Sequence, residues 1–312
     1  MELLLLDGAL GTELARRGWD VSDSLWSARV LLDHPEAVEQ VHLDYLSAGA
    51  RCITSGSYQI SFEGFEQAGL SRHEAAKALM KSVEIAKRAR ARFLEKRPPA
   101  SLPIIAASVG PYGASLADGS EFHGNYKCSY AELLAFHAQR LFCLAKAEPD
   151  LFACETIPSW QEAEALLESL LPFPQIPAWF SFTCRDGLRT AHGELIADCA
   201  RSLSAHLQVA AIGVNCTAPE HVSSLIAQIR ANTQKPIVVY PNSGQTWDAA
   251  SRSWLGKASA NSWEQRAVEW VQQGATWLGG CCGTTPDDIH QIRAALQKNF
   301  PAALAHEKSA TA

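Results

Sequence analysis

Long apolar runs are missing from this chain of 312 residues. No stretch approaches the ~18 consecutive apolar residues of a bilayer-spanning helix, so no membrane partner is expected. The N-terminal MELLLLDGALG is too short an apolar run for a secretory signal; Glu2 carries the wrong sign and Asp7 ends it. Excess positive charge is missing too. The 27 Lys and Arg stand against 33 Asp and Glu, a formal net charge of −6, whereas phosphate neutralisation needs clustered cations. A nucleic-acid partner is therefore not expected. The basic residues that do cluster, Lys87, Arg88, Arg90 and Arg92, alternate with alanines on a helical pattern and read as a solvated helix face. With no export signal the chain is assigned to the cytoplasm, and its nine cysteines, an odd number, read as thiols and not as a disulfide framework. Hydrophobic residues at 47% and charged residues at 19% exclude a disordered chain.

What is present is a rhythm. Eight short apolar runs recur: Leu3–Leu6, Cys52–Thr54, Ile104–Ala107, Leu151–Cys154, Ala178–Phe182, Ala210–Val214, Ile237–Tyr240 and Trp277–Gly279. Between them lie stretches with three- and four-residue periodicity, such as Ser71–Leu94, where Ala75, Leu79, Val83 and Ala86 share a face. Ser159–Leu171 opens on an N-cap candidate with Glu162 three residues on. Pro219–Ala231 and Trp263–Gln273 are further helices, the last closed by Gly274. Strand alternating with helix signals parallel βαβ units, and eight units predict an α/β fold of the (β/α)8 TIM-barrel type in a single domain over 1–300, with 301–312 a flexible tail. A doubly wound sheet is the rival, but its Gly-rich phosphate turn is missing: the first run is followed by Asp7-Gly8-Ala9-Leu10-Gly11 and not by GxGxxG. The Gly- and aromatic-rich stretch Gly110–Cys128 reads as an extended active-site loop.

A barrel carries its chemistry at the C-terminal strand ends. Those ends hold Asp7-Gly8-Ala9, Ser55 to Gln59, Glu155-Thr156, Asn215-Cys216, Pro241 to Gly244 and Gly280-Cys281-Cys282-Gly283. Cys216, Cys281 and Cys282 form the sharpest set. Three thiolates bind Zn²⁺ with one position left open in the manner of a catalytic zinc site. The same cysteines are also compatible with buried thiols or a vicinal disulfide. Neighbours on a strand face opposite sides, so Cys281 and Cys282 converge only where the chain has left the strand, a freedom supplied by Gly279, Gly280 and Gly283. Cys52, Cys143, Cys154, Cys184 and Cys199 read as small buried hydrophobes and Cys128 as incidental.

Gly213-Val214-Asn215-Cys216 and Gly279-Gly280-Cys281-Cys282-Gly283 resemble the two motifs of the homocysteine S-methyltransferase family, over about residues 3–297. Asp7-Gly8-Ala9 and Glu155-Thr156 match the family's substrate-binding positions. The resemblance implies a zinc-dependent methyltransferase of methionine biosynthesis, with Cys216, Cys281 and Cys282 as catalytic metal ligands. Asp7 and Glu155 would meet the ammonium of L-homocysteine, and backbone N–H groups near Gly8 and Ala9 its carboxylate. Asn215 would orient Cys216 or touch the substrate. A free thiol, pKa ~8.5, is a poor nucleophile at neutral pH, and zinc ligation removes its proton. Three thiolates and Zn²⁺ sum formally to −1, which keeps an added sulfur electron-rich.

The chain has no room for folate and cobalamin modules, so the resemblance points to the single-domain branch, with S-methylmethionine or S-adenosylmethionine as methyl donor. A cationic donor favours an aromatic wall, for which Trp26, Tyr58, Phe62, Tyr112, Phe122 and Tyr126 are candidates. The alternatives are a selenocysteine or other thiol methyltransferase, a zinc-thiolate metal sensor closed by Glu155, Asn215 or Tyr58, and a redox enzyme using Cys281–Cys282.

Overall fold

The eight apolar runs become strands because each is short and apolar and ends at turn formers or polar residues, and all but Leu3–Leu6 carry β-branched or aromatic residues. A computed structural model describes residues 2–23, 25–96, 102–244, 246–248, 253–255 and 262–304. Its strands are β1 Leu4–Leu5, β2 Cys52–Thr54, β3 Ile104–Val109, β4 Leu151–Ile157, β5 Ala178–Phe182, β6 Val209–Asn215, β7 Ile237–Tyr240, β8 Thr246–Asp248, β9 Ser253–Leu255 and β10 Trp277–Leu278. The sheet runs β1-β10-β7-β6-β5-β4-β3-β2, with parallel pairing throughout. A parallel bridge between Leu6 and Cys52 joins its two ends into a ring. The Arg51 N–H donates to Leu5 O at 2.7 Å and the Asp7 N–H to Cys52 O at 3.0 Å. This is the expected (β/α)8 barrel. The short antiparallel pair β8–β9 is an unanticipated addition after the seventh barrel strand.

A long helix follows each barrel strand, including Arg72–Lys96, Tyr130–Lys146, Trp160–Leu170, Pro219–Arg230 and Trp263–Gln272. Gly274, at φ +110°, ends the last of these in the left-handed region. Ser159 caps its helix as expected, accepting the Glu162 N–H at 3.3 Å. Glu162 does not return the cap. Its carboxylate turns inward to His137 Nε2 at 2.8 Å and accepts from the Tyr112 N–H and the Tyr126 hydroxyl. The cluster Lys87, Arg88, Arg90 and Arg92 is more tied down than a solvated face. Arg88 and Arg92 pair with Glu39, Arg90 with Asp150, and Lys87 donates to Ala147 O.

Period-two alternation sorts the strand residues into two cores. Ile105, Ala107, Phe152, Cys154, Phe180, Ile212 and Val239 face the helices. Leu6, Cys52, Ala106, Leu151, Ala153, Trp179, Ala211, Val238 and Tyr240 fill the barrel interior. Cys52, Cys143, Cys154, Cys184 and Cys199 are all buried, and the nine described thiols are all free. Residues 301–304 form a turn in which Ala303 O accepts the Leu3 N–H at 3.1 Å; the remainder of the expected tail, 305–312, lies outside the described residues. Among the described residues, no helix is long and apolar enough to cross a membrane.

Candidate active site and metal centre

The inward-facing residues change character towards the C-terminal strand ends. Two positions beyond Ala106 comes Ser108, two beyond Ala153 comes Glu155, and two beyond Gly213 comes Asn215. Alternation thus brings polar side chains to the barrel mouth without altering strand register.

Cys216 is the first residue after β6 and sits at φ +45°, a left-handed conformation that costs a non-glycine residue energy. Cys281 and Cys282 lie beyond the end of β10, in a turn. The Cys281 N–H donates to Pro241 O at 2.8 Å, Cys282 O accepts the Ser243 N–H at 2.9 Å, and Gly283 takes φ +79°. The two glycines before the pair serve close approach. A Cβ on Gly279 would stand 2.7 Å from Asp7 O, and one on Gly280 would stand 2.4 Å from Thr284 Oγ1. Only glycine lets this turn pass against the end of β1 and keep both sulfurs on one side.

The Sγ atoms of Cys216, Cys281 and Cys282 all lie within 4.8 Å of one another, those of Cys216 and Cys282 at 3.7 Å. Tetrahedral zinc–sulfur bonds of about 2.3 Å imply a sulfur–sulfur edge of roughly 3.8 Å, so the donor set fits a soft divalent ion. No fourth His, Cys, Asp or Glu joins this group among the described residues. Hydrogen bonds from Cys216 and Cys282 hold the Cys281 thiol well below its ordinary pKa.

Asn215 is wholly buried and supports this centre from behind. Its Oδ1 accepts the Thr156 N–H at 2.7 Å and the Ser181 hydroxyl at 2.8 Å, and its Nδ2 donates to Thr156 Oγ1 at 2.7 Å. The same Nδ2 faces Cys281 Sγ at 3.9 Å. Thr156, at φ +58°, is the second strained residue at this mouth, and Asn215 clamps it.

Asp7 and Glu155 lie 6% and 8% exposed beside this centre. Asp7 accepts the Thr54 N–H at 2.8 Å and the Thr54 hydroxyl at 3.1 Å. Burial nevertheless raises its carboxyl well above the usual range, and Glu155 raises it further. Burial lifts Glu155 to about 7, against a hydrogen bond from the Ser108 hydroxyl. A cavity of about 550 Å³ opens over these groups and the three sulfurs. Its wall includes the acids Asp7, Asp20, Asp23, Glu121 and Glu155, and no Lys, Arg or His among the described residues. Such a cavity selects a cation.

Asp7, Gly8, Ala9, Glu155, Cys216, Cys281 and Cys282 all line this one cavity; Asn215 lies behind its wall. Of the aromatic candidates, Trp26, Tyr58 and Phe122 line it. Phe62 instead packs under the Arg72 guanidinium, and Tyr112 stacks with Tyr126 and Phe136. The loop after β3 does reach the site, through Ala117, Gly119, Glu121 and Phe122. Sequence reading overlooked Trp19, Glu121, Trp179 and Tyr240. For Trp179 and Tyr240 the signal was available, since both occupy inward positions of their strands.

The family model described as homocysteine S-methyltransferase matches residues 4–296. The chain belongs to the homocysteine S-methyltransferase family. Relatives within it include homocysteine S-methyltransferase YbgG of Bacillus subtilis, 49% identical over 295 residues and 94% of each chain. The homocysteine S-methyltransferase of Escherichia coli is 45% identical, over 94% of this chain and 95% of its own. In structure, the metallated form of the homocysteine methyltransferase MmuM from Escherichia coli superposes with a TM-score of 0.85 at 43% identity, covering 94% of this chain and 96% of that one. Membership of the homocysteine S-methyltransferase family makes this chain an enzyme of the methyltransferase class.

Proposed function

We propose that the protein transfers a methyl group from S-methylmethionine, or less well from S-adenosylmethionine, to the thiol of L-homocysteine, forming methionine with the help of zinc. The observation that carries this reading is the convergence of three cysteine sulfurs and two buried, cation-free carboxylates on one cavity. Cys216, Cys281 and Cys282 would hold the zinc, which when bound supplies a strong local positive charge that strips the proton from a thiol at neutral pH.

The protein's own residues do the rest. Asp7 and Glu155, each disfavoured as a buried anion, accept the substrate ammonium and so regain the compensation that burial removed. The Ala9 N–H already donates to Thr284 Oγ1 at 3.3 Å. The substrate carboxylate is therefore assigned to the Gly8 N–H and the first turn of helix Leu10–Arg16, whose Leu10, Gly11 and Thr12 share the cavity. The substrate sulfur forms the new S–C bond as the donor's S–C bond breaks. That electron pair stays on the donor sulfur, which leaves as a neutral thioether. Positioning and exclusion of water carry the step. A closed metal sensor is disfavoured because Asn215 is spent on Thr156 and no further acid joins the sulfurs among the described residues.

The test is to measure zinc content and methionine formation with each donor in protein purified anaerobically. Near-stoichiometric zinc with turnover is expected. Cys216→Ser should lose zinc and more than the roughly 100-fold in activity that an outer-shell change costs. Undiminished methionine formation in Cys216→Ser would overturn the reading.

A further inference from the structure

Glu121 is the one acid of the inner cavity wall that the homocysteine site leaves without a task. It lies in the 3-10 turn Ser120–Phe122, on the loop after β3. Its Oε2 is closed off from solvent and has no hydrogen-bond partner among the described residues. Beyond that oxygen, the carboxylate is hydrogen-bonded by its own backbone N–H. Burial raises its carboxyl to about 7. A half-buried acid on a cavity wall with one oxygen shut off from water and unpaired is unfavourable in the free protein unless a ligand completes it.

The placement of Glu121 is fixed. The loop is pinned by Glu162, which accepts the Tyr112 N–H and the Tyr126 hydroxyl. Arg140, 1% exposed, ties the loop to the one after β2 by donating to Gly110 O at 2.6 Å and Tyr58 O at 2.8 Å. The charge of Glu121 acts on Tyr58 and Cys282. Glu155 acts on Asp7, and the Cys281 sulfur acts on Glu155. The cavity wall therefore carries two anionic poles, the pair Asp7 and Glu155 and the separate acid Glu121. Only one is needed for a single amino-acid ammonium. The second pole is flanked by Tyr58 and Phe122, whose ring faces attract cations.

We infer that Glu121, with Tyr58 and Phe122, is the binding site for the cationic methyl donor, its Oε2 accepting an N–H from the donor's ammonium while the rings flank the sulfonium. This rests on the methyl-transfer reading above. A donor carrying both an ammonium and a sulfonium satisfies the orphan oxygen and the aromatic wall together, which a neutral thioether does not.

The experiment compares wild type with Glu121→Gln and Glu121→Asp in metal-loaded protein. For Glu121→Gln, zinc content and the KM for homocysteine should stay within twofold of wild type, with the KM for S-methylmethionine raised tenfold or more. Glu121→Asp should restore part of the donor affinity. An unchanged donor KM, or an equal rise in the KM for homocysteine, would overturn the assignment. Calorimetric titration with S-methylmethionine alone separates this assignment from the reading it rests on. If wild type transfers no methyl group the functional reading falls, yet binding of the cation to wild type and its loss in Glu121→Gln still supports the donor site. Equal binding to both proteins sinks it. Unchanged melting temperatures exclude misfolding as the cause.

Discussion

The interior of the barrel and its mouth are built from the same strands by the same alternation, and they behave oppositely. At the waist, Ala106, Leu151, Ala153, Trp179 and Val238 pack against one another, and the one polar group among these side chains, the Trp179 indole N–H, is met by the Tyr240 hydroxyl at 2.8 Å. Two residues further along, Ser108, Glu155, Ser181 and Asn215 occupy the equivalent inward positions. There the backbone is strained at Thr156 and Cys216, and Asp7 and Glu155 are held as buried acids without a cation. The waist lowers the free energy of folding. The mouth raises it and is tolerated because a ligand relieves it.

Substitutions in the two layers should therefore move stability in opposite directions. The largest effect is expected at the waist. Leu151→Ala removes a buried side chain from the barrel interior and should cost about 2–5 kcal/mol in denaturant unfolding, with zinc stoichiometry intact. A loss of zinc at unchanged stability would break the contrast.

Glu155→Gln comes next. The folded-state pKa of about 7 lies above the ordinary 4.5. The carboxyl thus favours the folded state most below the unfolded value, and that contribution is lost as pH rises through about 7. At pH 8 the ionised group opposes folding, so Glu155→Gln should stabilise the ligand-free protein by roughly 1–3 kcal/mol while weakening homocysteine binding. In wild type, kcat/KM for homocysteine should rise with pH through the range near 7, as the acid ionises and meets the ammonium. The variant should lose part of that limb, leaving the share contributed by Asp7. A melting temperature at pH 8 that falls in Glu155→Gln would place this residue with the waist.

The smallest effect sharpens the boundary between the layers. Asn215→Ala removes the clamp on Thr156 and the contact to Cys281 without removing a sulfur. About 10–100-fold weaker zinc binding is expected by metal-competition titration. An unchanged zinc affinity would mean that the strained strand ends hold themselves.

Much of this was legible in the chain. All eight barrel strands coincide with the apolar runs to within a few residues, because a buried parallel strand leaves a continuous apolar signature. The three cysteines were legible as strand-end residues, two of them a vicinal pair flanked by glycines. Other features were not. Glu162 carries the spacing of a helix cap, and its burial against His137 follows from the packing of two helices that no local pattern encodes. Glu121 sits among polar loop residues and became a site residue only where the loop folded over the mouth. Asn215 reads equally as a support for Cys216 or a substrate contact until its hydrogen bonds to Thr156 and Ser181 show it engaged as a support.

The amino-acid sequence by itself determined the barrel, the order of its units and the thiol chemistry at its strand ends, because periodicity and residue chemistry are local properties of the chain. Tertiary structure alone decided that three sulfurs lie within 4.8 Å of one another, with those of Cys216 and Cys282, 66 residues apart in the chain, at 3.7 Å. It alone decided that Asp7, just beyond β1, and Glu155 of β4 share one desolvated wall, and that a further acid, Glu121, lines the same cavity. Proximity and burial are what bring three thiols into one donor set and two carboxylates to one wall. Both arise only when the ring of strands closes between Leu6 and Cys52.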